Sequence, residues 1–242
     1  MRNTRIFTPQ ELRGDADFEL EPAPSRHLAR ALRMGVGDTL TLFDGRGGEY
    51  PATITAVARN RVAVHTGGCA EGLPESPLRV HLGIAISRGE RMDWVVQKST
   101  ELGVGAITPL YTARTEVRLD AAREEKKLSH WRQVIASACE QCGRCALPGL
   151  HPPTALADWL HAVEADAKLV LHPRGEEGSG AGPPGSVALL AGPEGGFADE
   201  EVDAAVSAGF SSLRLGPRVL RTETAPLAAL AVLQARWGDL RG

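Results

Sequence analysis

The sequence predicts an α/β protein, a small β domain followed by a larger domain built on a mostly parallel sheet covered by helices. Three observations lead there. The first 70 or so residues carry short alternating runs separated by glycine turns. From Leu78 onward, apolar runs of strand character alternate with helical patterns. Two of the late strands end in turns, Gly192–Phe197 and Leu215–Ala225, that run straight into helices. Such turns bring bare backbone amides and carbonyls within reach of a small ligand, and two of them suggest one ligand held between two loops.

Taken in order, Ser25–Arg33 reads as a short amphipathic helix with Leu28, Ala31 and Leu32 on one face. Thr39–Phe43 alternates, Asp44–Gly48 supplies a turn, and Tyr50–Val57 and Val62–His65 complete the β segment. Gly67–Pro77 has linker composition and divides the chain. The domains expected are 1–70, a linker at 71–78, and 79–242. In the second, strands are expected at 80–86, 106–110, 169–172, 187–191 and 212–215, with helices at 92–102, 122–141, 199–208 and 225–237. Gly178–Gly185 looks like a flexible surface loop and has neither dinucleotide nor phosphate-loop spacing.

The bulk properties exclude several classes. A chain of 242 residues holds one large or two smaller domains with an ordinary core. No apolar run approaches the roughly 18 residues of a membrane span, and no apolar segment follows the charged start, so no leader is expected and the cytoplasm is the default. Four unevenly placed cysteines are no disulfide framework. Net charge is −3, but residues 151–213 carry 2 basic against 10 acidic groups, which leaves arginine-rich surface elsewhere for phosphate. Ordinary scatter on a solvated surface explains the same charges.

The Gly192–Phe197 turn sets three glycines and a proline around Glu194. Glu194 can accept a hydrogen bond from a ligand; equally, the segment can be a tight turn before a helix whose start holds Asp199, Glu200 and Glu201. In the second turn Thr224 is a plausible N-cap and Pro226 a tolerated early helical residue. That leaves Arg221 and Glu223 between two apolar elements, where charges are paired or face a ligand. Cys139, Cys142 and Cys145 are spaced by three, so on a helix their thiols diverge by about 60° each and do not meet on one metal. Of the histidines only His172, just after a strand, lies near the candidate loops. No serine-hydrolase elbow or zinc-protease helix is present.

Through these segments the chain closely resembles the RsmE family of bacterial 16S rRNA (uridine-N3)-methyltransferases, within the SPOUT superfamily. The resemblance covers nearly the whole chain. It rests on Arg5-Ile6-Phe7, His27–Arg33, Gln97–Val104, Ile107–Leu110, Trp131, Glu140–Arg144, Gly192–Phe197 and Leu220–Ala225, in that order. It implies a PUA-like β-barrel that meets RNA, a C-terminal methyltransferase domain with a deep trefoil knot, and a homodimer acting on the small ribosomal subunit. S-adenosylmethionine is the implied cofactor and S-adenosylhomocysteine the product, with no metal and no membrane. The cofactor loops match Leu171-His172-Pro173, Gly192 to Gly196 and Leu215 to Thr224. The binding residues carried over are Leu171, His172, Gly192, Pro193, Glu194, Gly195, Gly196, Leu215, Gly216, Leu220, Thr222, Thr224 and Ala225.

Uridine N3 must lose its proton before its lone pair can attack a methyl group. Arg221 is the first choice to stabilise the developing anion. Glu223 and Glu194 are candidates to orient the base or accept the proton, with neither ahead, and Glu194 can instead only brace its loop. N3 lies on the Watson–Crick edge, so the uridine must be unpaired or flipped. Arg5, Arg26, Arg30 and Arg33, with Arg88, Arg91, Arg114 and Arg144, are the expected phosphate ligands. At 5% aromatic residues, stacking platforms should be minor. Two competing readings are a SPOUT enzyme methylating a 2′-oxygen of tRNA or 23S rRNA, and a non-catalytic RNA-binding factor. A nucleotide-dependent oxidoreductase would need a Gly-x-Gly-x-x-Gly turn that is missing.

Overall fold

In the computed structural model, which describes residues 4–59, 61–172 and 183–240, backbone pairing sorts the strands into two sheets. The chain divides into two compact units, one of residues 1–75 and 136–147, the other of residues 76–135 and 148–242. Pro173 and most of the Gly178–Gly185 loop lie outside the described residues.

The first unit holds β1 (Arg5–Phe7), β2 (Ala16–Glu19), α1 (Pro22–Arg26), β3 (Thr39–Phe43), β4 (Gly48–Ala58), β5 (Arg61–Thr66) and β6 (Ala70–Glu71). The sheet runs β1-β3-β4-β5-β2, with β6 beside β4. Strands β3, β4 and β5 form an antiparallel meander, as their alternation predicts, and β1 joins β3 in parallel. Inward positions of these strands supply Ile6, Leu40, Leu42, Ile54, Val62 and Val64 to one core with Leu12, Leu20 and Leu28. The buried Ser25 hydroxyl donates to the Leu20 carbonyl (2.8 Å) and accepts the Val62 amide (3.1 Å), fixing α1 against the sheet.

The Ser25–Arg33 helix is corrected in one respect. After Arg26 the chain winds as a π-helical turn, His27–Ala31, closed by the Leu32 amide on the His27 carbonyl at 3.0 Å. The wider turn keeps Leu28 fully buried but swings Ala31 and Leu32 out into solvent. Arg33 then takes a positive φ of 54°.

The second unit contains β7 (Arg79–Ala85), α2 (Glu90–Glu101), β8 (Ala106–Tyr111), the first part of α3 (Ala121–Cys142), β9 (Gly149–Leu150), β10 (Thr154–Ala155), α4 (Leu156–Ala162), β11 (Ala167–Leu171), β12 (Ser186–Ala191), α5 (Asp199–Ser207), β13 (Ser211–Leu213) and α6 (Ala225–Trp237). Every pairing in its sheet is parallel, in the order β10-β8-β7-β12-β11-β13 with β9 also on β8. Central strands of such a sheet are covered on both faces and read as unbroken apolar runs. Val187 to Ala191 in β12 is buried without interruption. The strand order reverses direction about β7, since β8 lies on one side and β12 and β11 on the other. In open parallel sheets such a reversal opens a crevice beyond the carboxyl ends of the strands.

Candidate active site

A cavity of about 650 Å³ lies past the ends of β11, β12 and β13, in the size range of small-molecule sites. Most of its wall comes from three places: the end of β11 with His172, the end of β12 with the glycine turn that follows it, and the end of β13 with the segment leading to α6; Arg91 and Arg114 complete it with Asp199.

The first glycine turn is shaped by one aromatic ring. A Cβ on Gly192 would lie 2.9 Å from the Phe197 ring, so only glycine lets Phe197 fold back into the core. The Gly196 amide returns to the Pro193 carbonyl at 2.9 Å, and Gly196 has φ 68°, where a side chain is disfavoured. Helix α5 starts directly afterwards. Glu201 in its first turn accepts the Ala198 amide through Oε2 (2.9 Å), and Asp199, Glu200 and Glu201 together complement the helix dipole.

The second segment leaves β13 through Gly216, whose φ is 80°, while Arg214 Nε donates to the Gly216 carbonyl at 3.1 Å. At its end the amides of Thr224 and Ala225 both donate to the Arg221 carbonyl at 2.9 Å, starting α6. Thr224 is the cap residue, but its side chain makes no capping bond, which corrects the expected hydroxyl cap. The backbone of Arg221 takes that role. Its exposed guanidinium has no ion-pair partner among the described residues, and Glu223, half-buried, lies two residues on.

Leu171, His172, Gly192, Pro193, Glu194, Gly196, Leu215, Gly216, Leu220, Thr222 and Ala225 line the cavity, as do Arg221 and Glu223. Gly195 and Thr224 do not line it. Glu194 is engaged: Arg91 Nη1 donates to its Oε1 at 2.6 Å, with both side chains about half exposed. Arg91 and Arg114, expected only as phosphate ligands, stand in the cavity wall, and Arg114 Nη1 donates to the Gly195 carbonyl at 2.7 Å. Neither is legible as a cavity residue, because helix α2 and the loop after β8 carry no local signal pointing at a turn so far along the chain.

The remaining phosphate candidates separate by environment. Arg26, Arg30 and Arg33 are exposed, and Arg88 forms an exposed pair with Glu116 at 3.0 Å. Two are corrected. Arg144 is only 5% exposed and ion-paired with Glu75, and Arg5 is bound to Glu49, to the Gly143 carbonyl (3.1 Å) and to Cys145 Sγ (3.0 Å). Their charges are compensated inside the first unit, where an unpaired guanidinium would be costly. The cysteine trio does not share a helix face: α3 ends at Cys142, and Cys145 lies buried beyond it. Burial pushes the Cys139 thiol up to about 12, making it a poor nucleophile. Among the described residues no group of three or more His, Cys, Asp or Glu is placed to hold a metal.

This geometry fits what comparison with known proteins finds. An RNA methyltransferase domain family matches residues 74–234, and an RNA methyltransferase PUA domain family matches residues 23–66. A curated relative, ribosomal RNA small subunit methyltransferase E of Buchnera aphidicola subsp. Schizaphis graminum, is 33% identical over 99% of this chain and 98% of its own length. The chain belongs to the ribosomal RNA small subunit methyltransferase E family. Two solved structures resemble it throughout. One is a protein from Legionella pneumophila in complex with the bound cofactor SAM, 46% identical with a TM-score of 0.96, matched over 99% of this chain and 100% of that one. The other is the methyltransferase E of Neisseria gonorrhoeae bound to S-adenosyl methionine, 37% identical with a TM-score of 0.94 and the same coverage. The cavity walls of this family member are of the kind such a cofactor needs: apolar Leu171, Leu215 and Leu220, carboxylates at Glu194 and Glu223, and backbone exposed by glycines.

Proposed function

We propose that this protein transfers the methyl group of S-adenosylmethionine to N3 of a specific uridine in 16S rRNA of the small ribosomal subunit, releasing S-adenosylhomocysteine. The observation that carries the reading is the convergence of both glycine turns and of Arg221, Glu223 and Glu194 on one cavity, in a member of an RNA methyltransferase family. When bound, the cofactor supplies an electrophilic methyl group on a sulfonium, and a displacement of that kind gains most of its rate from positioning. Leu171, Leu215 and Leu220 cover the apolar parts of the ligand, while the backbone at Gly192 to Gly196 and at Gly216 serves its polar edges.

Arg221 stabilises the negative charge that grows on the uracil ring as N3 gives up its proton, the kind of electrostatic contribution that is largest in a site shielded from water. Glu223, half-buried beside it in sequence, is better placed than Glu194 to receive that proton or orient the base, because Glu194 is already held by Arg91. Exposed Arg26, Arg30 and Arg33 on the PUA-matched segment, with Arg88 on the methyltransferase segment, hold phosphates.

The domain limits 1–70 and 79–242, the trefoil knot and the homodimer belong to the same proposal. Membership of the methyltransferase E family supports the knot, and apolar Trp94 on α2 and Val232 on the adjoining α6, each about half exposed, support a subunit face. A cytoplasmic location follows from a ribosomal substrate, and no described helix is long and apolar enough to cross a membrane.

A methyl on N3 blocks Watson–Crick pairing and so stops reverse transcriptase. Expression of this chain in bacteria lacking that modification should restore one strong stop in 16S rRNA. A restored stop in 23S rRNA or tRNA instead would move the target, and unmodified RNA throughout would remove the activity.

A further inference from the structure

We propose that Arg114 is a positioning residue for the glycine turn at the cavity, acting with Glu201, and is not a phosphate ligand. The inference rests on the reading of that cavity as the S-adenosylmethionine site. The loop after β8 is made rigid first. The buried Thr112 amide donates to Thr115 Oγ1 (3.0 Å), the Thr115 amide returns to the Thr112 carbonyl (3.1 Å), and the two hydroxyls share a 2.8 Å bond. Residues 113 and 114 are thus presented from a closed turn.

Both then grip the segment after β12. The Ala113 amide donates to Glu201 Oε1 at 2.7 Å, while Oε2 of the same carboxylate accepts the Ala198 amide at 2.9 Å. Arg114 Nη1 donates to the Gly195 carbonyl at 2.7 Å. The Arg114 stem lies along Gly195 as well, since a Cβ built there would sit 3.4 Å from Arg114 Cδ and 3.5 Å from its Cβ. The glycine turn is therefore held directly at the Gly195 carbonyl by Arg114, while Ala113 holds the Glu201 carboxylate that accepts the Ala198 amide. An ionised donor on a carbonyl makes one of the stronger hydrogen bonds available. Holding the turn in its binding shape before the ligand arrives lowers the ordering cost of binding.

The test compares full-length wild type with Arg114→Met, Arg114→Lys and Glu201→Gln, titrating each with S-adenosylmethionine by calorimetry and with substrate RNA without cofactor at several salt concentrations. Methionine keeps the stem and loses the donor, so its cofactor Kd should rise about tenfold. Lysine can still donate to the carbonyl and should recover most of that loss. The Glu201→Gln variant keeps one acceptor oxygen and should show a smaller rise. In all three variants the salt slope of RNA binding should stay at the wild-type value. Unchanged cofactor affinity in Arg114→Met with weaker RNA binding and a salt slope lower by about one would make Arg114 a phosphate ligand. Equal losses in the methionine and lysine variants would also overturn the proposal. Wild type that does not bind the cofactor would overturn the underlying reading of the cavity instead.

Discussion

Arg221 and Arg114 stand on the wall of one cavity, yet only Arg114 has a carbonyl to hold. An arginine without an ion-pair partner beside a ligand site is available for charge that appears during reaction. Arg221→Ala should lower turnover about 10²–10³-fold, the usual cost of removing one electrostatic stabiliser, with cofactor affinity nearly unchanged. Steady-state kinetics and a cofactor titration check it, and normal turnover would take Arg221 out of the mechanism. Gly192→Ala should do the reverse. Its Cβ meets the Phe197 ring at 2.9 Å, so Phe197 or the turn must shift, and cofactor Kd should rise at least tenfold with stability falling by about 1–3 kcal/mol. Gly195, which sequence alone makes equally attractive as a probe, has ordinary room for a Cβ and does not line the cavity. Arg33 offers a third test, because a left-handed backbone costs a non-glycine residue roughly 1–2 kcal/mol. Arg33→Gly should melt slightly higher and bind RNA more weakly, as read by a melt and a filter-binding titration. Unchanged RNA affinity would leave the strained arginine unexplained. Arginine roles were the least legible feature of the sequence: Arg5 and Arg144 read as surface cations, and only three-dimensional neighbours reveal Glu49 and Glu75.

At the scale of elements, the two turns were legible because glycine and proline mark them directly, and helix α6 because its apolar pattern is long. The α4 helix, seven residues, and the two-residue strands β9 and β10 carry too little periodicity to be read. The π-helical turn after Arg26 was missed for a different reason: a period of 3.6 fits Leu28, Ala31 and Leu32 equally well until one wider turn intervenes. Three elements of the second unit meet at His81 on β7. Its Nε2 lies 2.8 Å from Thr108 Oγ1 on β8 and accepts from Trp159 Nε1 of α4 at 3.4 Å. Burial, with a smaller contribution from His151, lowers its pKa to about 4. With a proton on Nε2, two donors would face each other. Because the folded value lies below the unfolded 6.5, this histidine costs no stability above that pH. As pH falls from 6.5 toward 4 the unfolded chain takes up the proton first, and stability should drop by up to about 3 kcal/mol. Melting midpoints across that range should fall for wild type and less steeply for His81→Phe; equal slopes would assign the loss to other groups.

Over the whole molecule, the order of domains and the parallel sheet could be read from alternation alone, since buried parallel strands leave unbroken apolar runs such as Val187–Ala191. Strand order could not, because nothing in β11 or β12 states which neighbour it takes. Nor does local sequence state that residues 136–147 belong with the first unit. A homodimer built on the α2–α6 face should be weakened by Trp94→Glu with Val232→Glu, and sedimentation should show monomers for that double variant. A dimer that persists would place the subunit face elsewhere. Methyl transfer to one uridine nitrogen is read out with labelled S-adenosylmethionine and small ribosomal subunits lacking the modification, followed by nucleoside analysis. Label recovered as 3-methyluridine at a single 16S site is the predicted result. Label in a 2′-O-methylated nucleoside, or none in the small subunit while cofactor still binds, would contradict it.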